Sequence, residues 1–204
     1  MKTVILHGLG QTAEDWIGVI GHLQSADVEC PALFLTGPAE IVYSRLLDEL
    51  ERKYGSNAEP LCICGLSLGA VLAVDFAIRH KEKVASLVLI AAQYKVSRPL
   101  IDFQNLMFRL MPQKAFRGIG LSKDDAIKLT RSMRSLDFTP QLKEIVCPVT
   151  LLCGERDKAN RKASKELSAL LPQAELYLIP NAGHELNKDA PEALAGILQK
   201  SIGG

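Results

Sequence analysis

Short apolar runs alternate with helix-like runs along almost the whole of this 204-residue chain. KTVIL, PALFLT, PLCIC, VASLVLIAA, PVTLLCG and AELYLIP read as strands. Between and after them, AEDWIGVIGHLQS, EIVYSRLLDELERKYG, LGAVLAVDFAIRHK, RKASKELSALLP and PEALAGILQKSI read as helices. In the second of these helices Ile41, Leu46, Leu47 and Leu50 make an apolar stripe at helical spacing. VASLVLIAA is apolar on both faces, the pattern of a strand covered on both sides. Repeated strand–helix units predict an α/β fold, a mostly parallel sheet with helices on both faces. The length suits one domain, residues 1–204.

One segment breaks the alternation. From 96 to 144 no strand pattern appears, while Phe103, Leu106, Met107, Leu110 and Met111 follow helical spacing. Ser122 followed by Asp125 resembles a capping box opening a second helix. This predicts a small helical insertion between two strands of the sheet.

Bulk properties exclude several classes. The chain carries 24 basic and 23 acidic residues, a net of +1, which gives no overall electrostatic grip on nucleic acid or anionic lipid. The opening MKTVILHGLG lacks the apolar run of a signal peptide. LCICGLSLGAVLAV is shorter than the ~18 residues of a spanning helix and is interrupted by glycine and serine. A cytoplasmic protein without a membrane span is expected. Five cysteines, an odd count, sit mostly in apolar runs; Cys62 and Cys64 share one strand face without the spacing or second pair that zinc requires. Free buried thiols in a reducing compartment, with no metal and no cofactor, are the expectation.

The chemistry concentrates in three loops. Gly65-Leu66-Ser67-Leu68-Gly69 fits G-x-S-x-G between a strand and a helix, the setting that lifts a serine hydroxyl out on a tight turn. A serine hydroxyl is a weak nucleophile and needs a base. Histidine suits, because its ordinary pKa of ~6.5 lets it take and return a proton near neutrality. Of four histidines, His184 in NAGHELN follows a strand's carboxyl end. His22 and His80 fall in helical surface patterns, and His7 belongs to the first turn. The base needs an orienting carboxylate. Asp157 follows the preceding strand, with Glu155 as its competitor, whereas Asp75 falls in the helix after Ser67.

These motifs together resemble the α/β-hydrolase superfamily, specifically its small capped serine hydrolases and esterases. HGLG resembles that family's opening turn and GLSLG its nucleophile turn, while PVTLLCGERD and LIPNAGHELNKDAPEAL resemble its acid and base segments. The resemblance spans nearly the whole chain. It implies a Ser67–Asp157–His184 triad, an acyl-enzyme route on a small carboxylic ester or thioester, and a helical cap at 96–144. The family's usual hairpin ahead of the HG strand is missing here, so a reduced sheet of about six strands is expected. The cap's Phe103, Met107, Phe108, Met111 and Phe116 are candidates to line an acyl site.

The first turn admits two readings. Gly8, Gly10 and Ala13 fit G-x-G-x-x-A, a dinucleotide turn of a nucleotide-dependent oxidoreductase. That reading wants an acidic residue at the end of the second strand, and Glu29 precedes PALFLT instead. It also leaves Ser67, Asp157 and His184 unexplained. The hydrolase reading makes HGLG half of an oxyanion hole, with the amides of Leu9 (or Gly10) and Leu68 as donors. A hydrolase fold used only to bind a ligand is the remaining alternative.

Overall fold

The structure, a computed structural model, describes residues 1–24, 27–34 and 40–203. Six strands form one parallel sheet: β1 Thr3–Leu6, β2 Val28–Glu29, β3 Leu61–Leu66, β4 Val84–Ile90, β5 Val149–Gly154 and β6 Ala174–Ile179. Their spatial order is β2-β1-β3-β4-β5-β6. Successive side chains of a strand serve opposite cores. Leu61 and Ile63 join one core, while Cys62, Cys64 and Leu66 join the other. Both faces are therefore dry, which is why these strands show no polar alternation.

The helices follow in chain order. A 3₁₀ turn at Ala13–Trp16 runs into α1 Ile17–Ile20. Gly18 and Gly21 are poor helix formers, so the element stops well short of the expected helix. Next come α2 Tyr43–Tyr54 and α3 Leu68–Arg79. Between β4 and β5 lie α4 Arg98–Leu110, a 3₁₀ stretch Gln113–Ile119, α5 Lys123–Ser132 and a second 3₁₀ stretch Thr139–Glu144. The chain ends with α6 Lys158–Leu170, α7 Leu186–Asp189 and α8 Pro191–Gly203. Residues of α2, α3 and α6 pack one face of the sheet, and residues of α1, α7 and α8 the other, giving three layers.

Two local expectations meet different fates. Ser122 opens α5 as a capping box: the Asp125 amide donates to Ser122 Oγ at 3.1 Å, and the Ser122 amide donates to Asp125 Oδ2 at 3.4 Å. The strand expected at PALFLT is not there. The second strand is Val28–Glu29, paired with Thr3 and Val4 of β1. Pro31 has no amide proton to continue the ladder, and residues 31–34 lie outside it. Leu35 and Thr36 fall outside the described residues.

The sheet order places the site. Strands β2 and β1 wind in one direction and β3 to β6 in the other, so the switch lies between β1 and β3. Ligands of open α/β sheets bind in the crevice beyond the carboxyl ends of strands at such a point. Here those ends lead directly into His7–Gly10 and into Ser67.

Candidate active site

Ser67 occupies a turn that the neighbouring glycines make possible. A Cβ on Gly65 would stand 2.3 Å from the Gly69 carbonyl oxygen, and one on Gly69 would stand 1.9 Å from that of Leu6. No side chain survives such approaches. Between them Ser67 is held at φ 53, ψ −110, a conformation unusual for a residue with a Cβ. Strain of this kind costs on the order of 1–3 kcal/mol and persists only where surroundings enforce it. Part of the enforcement is the Ser67 amide, which donates to the Ile90 carbonyl at 2.9 Å and ties the turn to β4. The following α3 contributes its unpaired N-terminal amides, that of Leu68 first.

His184 and Asp157 meet across the ends of β5 and β6. Asp157 Oδ2 lies 2.7 Å from His184 Nδ1. A carboxylate oxygen accepts only, so Nδ1 carries the proton and Nε2 is left as the acceptor that a general base needs. The carboxylate that meets the histidine is that of Asp157, 8% exposed, whereas Glu155 is exposed. Burial alone pushes the Asp157 carboxyl up, but hydrogen bonds from His184 and Asn160 outweigh it and hold the group below its ordinary value. Among the described residues Ser67 Oγ has no hydrogen-bond partner, so its contact with the histidine is not formed in this structure. Such contacts often tighten only when substrate binds.

Three neutral amides that sequence reasoning missed organise these loops. Asn160 Nδ2 donates to Asp157 Oδ1 at 3.0 Å and to Oδ2 at 2.8 Å, and its Oδ1 accepts from Gln93 Nε2 at 3.0 Å. Gln11, 2% exposed, works on the other side. Its Oε1 accepts from the Gly8 amide at 3.2 Å, and its Nε2 donates to Glu185 at 2.9 Å and Asn187 at 3.0 Å. The first turn and the loop carrying His184 are thereby fastened together.

The remaining titratable residues have structural surroundings. His7 is buried, donates from Nδ1 to the Gly8 carbonyl at 3.0 Å and accepts at Nε2 from the Leu33 amide at 3.2 Å. Burial lowers its pKa, more than the Gly8 bond and Asp15 raise it. His22 is exposed; His80 is partly buried, 3.3 Å from Glu51, rather than a free surface group. Asp75 binds the Tyr43 hydroxyl at 3.0 Å and Arg79 at 2.8 Å.

The dinucleotide reading of the first turn loses ground for new reasons. Glu29 does stand in β2, contrary to the sequence placement. Yet its carboxylate is ion-paired with Lys2 and Lys53, which hold its pKa at about 2 although burial pushes it up. The Gly8 amide is taken by Gln11, and Glu14 and Asp15 open the next helical turn, where a phosphate would be repelled.

The amides of Leu9 and Leu68 have no protein acceptor among the described residues, and both residues line a cavity of about 100 Å³ with Ser67. Its other walls include Val96, Leu100, Ile101, Leu129 and Met133, with Gln93 and Asn160 at the polar end. This corrects the expected lining. Phe103 is 60% exposed and Met107 43%, while Phe108 stacks edge-on against buried Phe116, centroids 5.6 Å apart. The apolar stripe of α4 has two sides, and periodicity does not tell which one faces the sheet. A wider groove of about 780 Å³ adjoins this cavity and shares Gln93, Val96 and Leu100 with it. Among the described residues no group of three or more His, Cys, Asp or Glu is gathered as metal ligands. Likewise no described helix is long and apolar enough to cross a membrane.

Known proteins give consistent matches. A sequence model described as the alpha/beta hydrolase family matches residues 3–197. A putative 2-succinyl-6-hydroxy-2,4-cyclohexadiene-1-carboxylate synthase of Bacillus subtilis is 24% identical over 69% of this chain. The chain spans 65% of that protein's length. The putative carbamate hydrolase RutD of Shigella flexneri is 22% identical over 98% of this chain and 90% of its own. Among solved structures, the enol-lactonase of Burkholderia xenovorans superimposes with a TM-score of 0.85 at 15% identity, covering 100% of this chain and 92% of that one.

Proposed function

The chain belongs to the alpha/beta hydrolase family, and from that premise we propose that it is a serine hydrolase of a small carboxylic ester or thioester. The observation that carries the reading is the conformation of Ser67. A serine held at φ 53 between strand and helix, where an unstrained residue would fold more stably, calls for a chemical reason. The Asp157–His184 pair at 2.7 Å supports the same reading. In the proposed cycle His184 Nε2 takes the proton of Ser67 Oγ as the oxygen attacks the substrate carbonyl. The negative charge that develops is met by the amides of Leu9 and Leu68. His184 returns the proton to the leaving group, then draws one from a water whose oxygen attacks the acyl carbon, and passes it to Ser67 Oγ as the acyl–oxygen bond breaks and the acid leaves. Asp157 keeps the proton on Nδ1 throughout.

Labelling by a fluorophosphonate tests this directly. The wild-type protein is expected to label strongly, and Ser67→Ala and His184→Ala not at all. Intact, folded protein that stays unlabelled would remove the esterase reading and favour a hydrolase fold that only binds its ligand.

A further inference from the structure

The carboxyl end of β4 carries backbone strain of its own. Ala91 stands at φ 50, left-handed for a residue with a Cβ, and is buried. Its amide donates to the Leu152 carbonyl at 2.9 Å, and the carbonyl of the preceding Ile90 accepts from the Ser67 amide at 2.9 Å. The chain leaves the sheet here and reaches Gln93 two residues later, half-buried and lining both the cavity at Ser67 and the wider groove. Among the described residues the Gln93 side chain makes one hydrogen bond, from Nε2 to Asn160 Oδ1 at 3.0 Å, across 67 positions of the chain.

Asn160 holds the carboxylate of Asp157. Apart from His184, every donor to that carboxylate among the described residues belongs to Asn160. Its backbone amide reaches Oδ1 at 3.2 Å, and its Nδ2 reaches Oδ1 at 3.0 Å and Oδ2 at 2.8 Å. A half-turn of the Asn160 amide about its last torsion would exchange NH₂ and oxygen. An oxygen lone pair would then face the carboxylate, and both side-chain contacts would be lost. Asn160 is 7% exposed, so its own oxygen needs a partner. Gln93 is the only donor it has among the described residues.

We infer that Gln93 is a positioning residue of the Ser67 site: by donating to Asn160 Oδ1 it keeps the Asn160 amide turned toward Asp157, and so holds the carboxylate on His184 Nδ1. The inference rests on the Ser67–Asp157–His184 reading given above. Gln93 makes no hydrogen bond to any of those three side chains among the described residues, so it acts through Asn160. The strain at Ala91 then has a purpose. The end of β4 is tied to the nucleophile turn through Ile90 and to the acid loop through Gln93, which fixes the two loops relative to each other. Catalysis by positioned groups is sensitive to small displacements of this kind.

A double-mutant cycle with Asn160 tests it, read as kcat on a soluble ester per site titrated with fluorophosphonate. Gln93→Leu is expected to lower kcat about fivefold in the wild-type background and by less than about twofold in Asn160→Ala. Gln93→Glu keeps the shape of the side chain but can only accept, so it should lower kcat at least as far as Gln93→Leu, whereas a packing role would spare it. Equal losses from Gln93→Leu in both backgrounds, or a per-site kcat for Gln93→Leu within about twofold of the wild type, overturn the inference. A folding defect alone gives the second of these results, because it removes titratable sites without changing those that remain. The proton on His184 Nδ1 gives a readout that needs no substrate. Its NMR resonance should be sharp in the wild type and broadened by exchange with water in Gln93→Leu and Asn160→Ala alike. A wild type that turns over no ester defeats the serine hydrolase reading, and the resonance then decides the role of Gln93 by itself: if Gln93→Leu leaves it as sharp as in the wild type, the inference fails.

Discussion

Asn160 shows how much of a site can rest on a neutral side chain. Its amide contacts both oxygens of Asp157, so the carboxylate has little freedom to rotate away from His184. Asn160→Ala is expected to lower kcat on a soluble ester about tenfold with KM little changed, since a hydrogen bond to a charged group contributes roughly 1.5–3 kcal/mol. Steady-state kinetics on both parameters decides between this and a mere folding defect, which would lower the active fraction and leave fluorophosphonate-titrated kcat intact. His7 makes a different prediction. Its burial keeps the folded group neutral, so the unfolded chain takes up the proton first as pH falls. Stability should drop below the ordinary histidine value of ~6.5, by at most about 1.4 kcal/mol per pH unit until the folded group titrates. Chemical denaturation between neutral and mildly acidic pH should show that slope in the wild type and a shallower one in His7→Gln. The proposed triad of Ser67, Asp157 and His184 was legible in the sequence because each follows a strand's end, in a turn or loop whose residue types suit one chemistry. Gln11, Gln93 and Asn160 were not, because uncharged amides leave no pattern, and Gln11 reaches a partner 174 residues away.

Among elements, the junction of β3 and α3 is the least tolerant of change. Gly69→Ala would drive a methyl group to 1.9 Å from the Leu6 carbonyl oxygen and 2.9 Å from that of His7, both backbone atoms of β1 and its turn. The only relief is to part β1 from α3. A loss of roughly 3–5 kcal/mol is expected, enough to unfold a domain whose total stability is commonly ~5–15 kcal/mol. Thermal unfolding reads this, and a variant that melts within a few degrees of the wild type would mean that the turn has more room than its atoms suggest. At α5 the capping box is a milder case: Ser122→Ala should cost about 1 kcal/mol. Elements with strong periodicity, such as α2 and α6, were readable from the sequence. The second strand was not. PALFLT has the right composition, but register is a property of the neighbour, and β1 takes Val28 and Glu29 instead. For α4 the helix was readable and its orientation was not, since both sides of it are apolar.

For the molecule as a whole, charge and volume have to be divided before they mean anything. The total of +1 conceals a cationic helical insertion on an anionic body. In the same way, the space near Ser67 is two spaces, of which only the smaller is lined by Leu9 and Ser67. The cavity at Ser67 is about 100 Å³ and closed on one side by Ile101, Leu129 and Met133, whereas the adjoining groove is about 780 Å³ and open. On the proposed ester reading a substrate would place one half of itself in each, and with the leaving group in the wide groove the tight constraint would fall on the acyl half. A series of p-nitrophenyl esters should therefore show kcat/KM highest for the shortest acyl chains, falling as methylenes are added that the cavity does not admit. Met133→Ala removes a wall that belongs to the cavity and not to the groove, and should move the optimum toward longer chains at a stability cost of about 2–5 kcal/mol. A flat profile across the series in the wild type would mean that α4 and α5 part from the sheet when substrate enters.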